Sequence, residues 1–147
     1  MSQTLTNDQR IEVPRRFMAE VFNGQHPERA RDFFTTDALW HGPSIAEVSG
    51  VDNIVGLLGA FIGALTNIKA EEQDAIASGD LVALRLVVTA TQAGDLLGIP
   101  SSGHDVRWDA VDIYRVTDDG KISEQWAFED MAAIGSQLGA FSLPWAN

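Results

Sequence analysis

The feature that most restricts this chain is a change of period near residue 69. Beyond it the hydrophobic pattern loses helical spacing and becomes four strand-like runs, 69–78, 81–92, 104–117 and 121–129. Ser78-Gly79-Asp80 turns the first run into the second, and Asp118-Asp119-Gly120 turns the third into the fourth. Asp-Gly is a strong hairpin signal. A loop carrying Gly94, Gly98, Pro100 and Gly103 separates the two hairpins.

The segment before the strands is helical. Phe17, Met18, Val21 and Phe22 share one face of a helix expected over about 7–24, with Pro14 marking a kink or its true start. A short helix follows with Pro27 near its first turn and Phe33-Phe34 packing inward, then a brief strand, 37–41, stopped by Gly42-Pro43. Ser49 and Asp52 resemble a capping box for a helix expected over 51–67, in which Ile54, Leu57, Leu58, Phe61, Leu65 and Ile68 recur at helical spacing. A final helix is expected over 131–138. Helices followed by a meander of long strands give an α+β class. We expect a curved, mostly antiparallel sheet wrapped around the N-terminal helices as a cone-shaped barrel with an interior pocket. At 147 residues and 45% apolar content the chain reads as a single domain, 1–147, with a core of its own.

Composition removes several function classes. With 21 acidic and 10 basic side chains the formal charge is −11, which argues against a nucleic-acid partner. The absence of cysteine excludes disulfides, thiolate metal sites and a cysteine nucleophile. The three histidines show no metal-ligand spacing, and there is no Gly-rich strand-to-helix turn for a nucleotide or flavin. We expect neither metal nor cofactor. No membrane segment is expected, since the longest apolar stretch, 54–65, is short and interrupted by three glycines. The N-terminus has no secretion signal, so a cytoplasmic location is the expectation.

Proton transfer on a bound molecule is what remains, and the run KISEQWAFED at 121–130 carries the first candidate. By strict alternation Ile122, Glu124, Trp126 and Phe128 share one face, which closes on Asp130. Asp130 can cap the following helix and, if shielded by apolar surroundings, have its pKa raised into a useful range. His41, at a strand end, could hold an enolate oxygen or orient Asp130. Trp126 could stack on a flat substrate, whereas Trp108 reads as mainly structural. Asp112 and Tyr114 share a face of the third run. Asp112 is expected either near the pocket mouth or paired with Arg85 or Arg115. Arg85, Phe17, Phe61 and Trp40 complete the expected substrate-binding set.

Four segments together resemble the SnoaL-like polyketide cyclases, on the fold named after nuclear transport factor two. They are the helix from Phe17 to Asn23-Gly24, the strand ending Trp40-His41-Gly42-Pro43, the loop Thr91-Gln92-Ala93-Gly94…Gly98-Ile99-Pro100…Gly103, and Tyr114-Arg115…Gly120-Lys121-Ile122…Trp126…Asp130…Gln137-Leu138-Gly139. The resemblance implies cofactor-free ring closure of a hydrophobic, aromatic polyketide-like molecule by intramolecular aldol condensation, with Asp130 as the matching general acid/base. Related proteins of anthracycline pathways imply hydroxylation as an alternative. A binding module without chemistry is the third reading. Gln92 departs from the histidine that many members carry after the threonine. The resemblance also implies a homodimer or homotetramer, for which Val82, Leu84, Leu86 and Val88 are the expected outer face.

Overall fold

The structure, a computed structural model, describes residues 4–146. It opens at Thr6, whose hydroxyl accepts from the Gln9 backbone while the Gln9 side chain accepts from the Thr6 backbone. This reciprocal cap starts α1, Asn7–Phe17. Pro14 lies inside α1 rather than at its start, and the chain continues as a π-helical segment, Met18–Asn23. A short 3-10 helix, Pro27–Asp32, leads to strand β1, Phe34–Gly42, which is longer than expected. β2, Ala46–Ser49, was not anticipated.

α2 runs Val51–Gly63 and buries Ile54, Leu58 and Ile62. Its N-cap is Gly50 at φ 88°, with no side-chain cap, so Ser49 and Asp52 form no capping box. Only glycine adopts that backbone readily. α2 also stops short of Asn67. Leu65 and Ile68 are buried as parts of β3, Leu65–Ser78, and not of a helix face.

The remaining elements are β4, Leu81–Gln92, β5, Asp105–Val116, β6, Ile122–Glu129, and α3, Met131–Gln137. One six-stranded sheet results, ordered β2-β1-β6-β5-β4-β3. β1 pairs in parallel with β6, and every other neighbour is antiparallel. The class is α+β, with the curved sheet folded over the N-terminal helices. Phe17 anchors the packing between them, edge-on to Phe34, Phe33 and Tyr114 at centroid distances of 5.2, 5.9 and 6.1 Å.

Two face assignments differ from expectation. Val82, Leu84, Leu86 and Val88 are buried against the helices, and Arg85 is on the outer face. β4 is mixed on its outer side, where Leu81, Ala83 and Val87 alternate with Arg85, Thr89 and Thr91, so its own period marks the inner side only weakly. Its pairing with β5 decides, because Val82 lies opposite Tyr114 and Leu84 opposite Asp112. In β6 the register shifts just after Ile122. Ile122 pairs with Val116 and Glu124 with Arg115, leaving one extra residue on β6. Such a bulge moves every following side chain to the opposite face. Gln125 and Ala127 therefore turn inward, with Glu129, while Glu124, Trp126 and Phe128 turn outward.

Candidate active site

The inner face of the sheet and the helices leave one apolar pocket with acidic groups in its wall. Phe17, Met18 and Phe22 line one side, and Leu57, Leu58 and Phe61 of α2 line another. Trp40, Asp112, Gln125 and Glu129 belong to the sheet wall. The free space is about 40 Å³, room for a few water-sized groups. A larger ring system enters only if a helical wall moves.

Asp112 is fully buried without a cation. Its Oδ2 accepts from the Tyr114 hydroxyl at 3.2 Å, and its Oδ1 has no partner. Burial, and secondarily the charge of Glu129, holds its pKa well above the usual carboxylate range, against the opposing Tyr114 hydrogen bond. Glu129 is at the strand end, partly exposed as a residue but with its carboxyl shielded. Burial raises its pKa to about 7, although Trp108 Nε1–H donates to Oε2 and favours the ionised form. Burial and Asp112 push the Tyr114 phenol upward as well, so it remains a neutral donor. Glu129 pairs in register with Ala110 and Asp112 with Ala127, which makes the two acids diagonal neighbours on the inner face. Such a pair titrates jointly and retains a proton near neutral pH.

The expected site residues divide in two. Phe17, Phe61, Trp40 and Asp112 line the pocket, and Tyr114 supports Asp112 from 0% exposure. Asp130, His41, Trp126 and Arg85 lie elsewhere. Asp130 is exposed, and its Oδ1 caps α3 by accepting from the Ala133 backbone at 3.1 Å. The β6 bulge assigns Glu129 the inward position that strict alternation gave to Asp130. His41 is held on the outer surface between Glu47 and Glu124, with Nε2 2.7 Å from Glu124. Hydrogen bonds to Glu124 and then Glu47 raise its pKa. Trp126 stacks on His41 at 5.4 Å with the Arg115 guanidinium on its ring at 5.7 Å. Arg85 donates to Asp74 at 2.6 Å, and Arg115 to Asp80 at 2.9 Å. Neither arginine reaches Asp112, because both point out from the opposite face of the sheet.

Glu129 and Gln125, and the donor role of Trp108, were not foreseen. Their one signal is the polar run Ser123-Glu124-Gln125, which breaks the alternation within β6. Gln92 is buried, donating to Ile99 O at 2.9 Å and Pro100 O at 3.1 Å while accepting from Ser102 at 2.7 Å. It pins the loop between β4 and β5 instead of facing the pocket. Among the described residues no three His, Asp or Glu side chains converge to hold a metal ion. No described helix is long and apolar enough to cross a membrane.

A family model for SnoaL-like polyketide cyclase matches residues 12–138. No curated protein matches the chain by sequence. Among solved structures, a protein from Jannaschia sp. CCS1 described as a SnoaL-like polyketide cyclase superposes with a TM-score of 0.85 at 21% identity, covering 96% of this chain and 99% of that one. AclR from Streptomyces galilaeus, described as a hydroxylase, gives 0.81 at 26% identity, covering 92% and 99%. An LEH-like epoxide hydrolase of M. tuberculosis gives 0.70 at 13% identity, covering 89% and 90%.

Proposed function

This chain belongs to the SnoaL-like polyketide cyclase family, and from that premise we propose that it closes a ring in a hydrophobic polyketide-like molecule by intramolecular aldol condensation. Asp112 and Glu129 act as the acid/base pair. The observation that supports this reading is two shielded carboxyls, with no cation beside them, facing one apolar pocket. The ionised member takes a proton from a carbon flanked by two carbonyls. That carbon attacks a third carbonyl carbon of the same molecule, forming the C–C bond while the π pair moves to oxygen. The new alkoxide then takes a proton from the pair. Nothing is oxidised or reduced, so the balance needs no cofactor. General acid/base catalysis of this kind is worth about 10²–10⁴-fold.

The test is incubation of the folded protein with a linear polyketide methyl ester, monitored for an isomeric cyclic product. No product from folded protein overturns the condensation. The likeness to AclR favours hydroxylation as a second reading. Anaerobic conditions stop hydroxylation and spare ring closure. A homodimer through the outer sheet face also belongs to this proposal, now carried by Val111 and Phe128, which are 38% and 44% exposed. Val111→Glu then gives a monomer by light scattering, and an unchanged mass refutes that interface.

A further inference from the structure

Three buried polar atoms on the pocket residues have no hydrogen-bond partner: Trp40 Nε1, Gln125 Oε1 and Asp112 Oδ1. Among the described residues the fourth such atom, Thr35 Oγ1, belongs to a residue outside the pocket lining. Folded proteins seldom leave buried polar groups unpaired, since each lost partner costs free energy. Their gathering on one wall points to a guest that supplies the missing partners.

The sheet brings the residues that carry them together. Trp40 pairs with Gln125 across β1 and β6, and Gln125 pairs with Tyr114 across β6 and β5. Trp40 and Gln125 therefore stand side by side on adjacent strands, about 4.8 Å apart at the backbone. Gly42 leaves room for the Trp40 ring, because a Cβ at that position would run into the ring's far edge. Trp40 is only 5% exposed and Gln125 3%, so neither atom can turn to solvent for a partner. The two atoms are of opposite type: the indole N–H only donates, and the amide oxygen only accepts. The remaining pocket surface is largely apolar.

We propose that the pocket selects a hydroxy-carbonyl compound whose carbonyl accepts from Trp40 Nε1–H and whose hydroxyl donates to Gln125 Oε1. Asp112 Oδ1 lies on the same inner face for a further contact. This rests on the pocket of the proposed reaction and names the ligand class that the pocket takes. It excludes hydroxy-carbonyls closed by an internal hydrogen bond, which have no free donor. It also makes Trp40 and Gln125 specificity-determining residues.

The experiment measures binding of three small aromatic probes to the intact protein by calorimetry. 3-Hydroxyacetophenone carries both groups, acetophenone lacks the donor, and 3-ethylphenol lacks the acceptor. The intact protein should bind the first about 10–100-fold more tightly than either of the others. Trp40→Phe should erase the advantage over 3-ethylphenol and keep that over acetophenone. Gln125→Met should do the reverse, with circular dichroism confirming the fold of each variant. Equal affinities in the intact protein, failure of all three probes to bind, or an unchanged preference in a folded variant would each overturn the assignment. No ring closure is read here, so a failed condensation leaves the binding result standing, and a flat probe series leaves the condensation untouched.

Discussion

Replacing Glu129 by Gln should make the protein more stable and less active. Burial raises the Glu129 pKa from 4.5 to about 7, and each pKa unit is worth about 1.4 kcal/mol. An unfolded chain loses this proton near pH 4.5, whereas the folded chain keeps it until pH about 7. Native stability from this group is therefore whole below the unfolded pKa and falls as pH rises through the folded one. At pH 8 the ionised side chain costs the fold about 3 kcal/mol. Glutamine carries no charge, and its amide oxygen still accepts from Trp108. Urea unfolding should show Glu129→Gln close to the parent at pH 4.5 and more stable by up to about 3 kcal/mol at pH 8. Asp112 contributes a slope of the same sign and remains in the variant, so the variant's pH dependence is reduced, not flat. Ring closure should fall by about 10²–10⁴-fold in the same variant. Equal stability of the two proteins at pH 8 would refute the claim that this carboxyl is shielded.

Asp130→Asn should retain both activity and stability, since Asn caps as well as Asp, while Asp130→Ala should lose about 1 kcal/mol by thermal unfolding. His41→Asn should leave turnover intact. The His41 pKa lies above its ordinary 6.5 through Glu124 and Glu47, so its contribution is present below that value and is lost as pH rises through the folded pKa. The variant should lose more stability at pH 6 than at pH 9, by less than about 1 kcal/mol because the cluster is screened by solvent and salt. Gly56 is on the exposed side of α2, where an added Cβ meets nothing within 4 Å. Gly56→Ala should add about 0.5–1 kcal/mol of stability and, by stiffening the wall that carries Leu57, Leu58 and Phe61, slow ligand entry in stopped-flow binding.

The fold was legible because its punctuation is local. Ser78-Gly79-Asp80 and Asp118-Asp119-Gly120 announce their hairpins, and Phe17 to Phe22 announce the helical face that the sheet covers. The inside of the sheet was less legible. β4 has Leu81, Ala83 and Val87 beside Arg85, Thr89 and Thr91 on its outer face, so Asp105, Arg107 and Asp109 of its neighbour mark that face more clearly. The site turned on one residue. A bulge after Ile122 exchanges the two faces of β6, bringing Glu129 into the pocket and leaving Asp130 to the cap. Alternation has no means of marking such a step except by failing, as it does across Ser123-Glu124-Gln125. Asp112 lines the pocket because β5 alternates without interruption, and its lack of a cation could not be read before Arg85 and Arg115 were placed outside.

A carboxyl titration followed by ¹³C NMR tests the central claim most directly, with Asp112→Asn and Glu129→Gln assigning the two resonances. Glu129 should titrate at about 7 and Asp112 well above its ordinary 3.8, the two moving together as a coupled pair. Both carboxyls ionising in the ordinary range for exposed side chains would contradict the account.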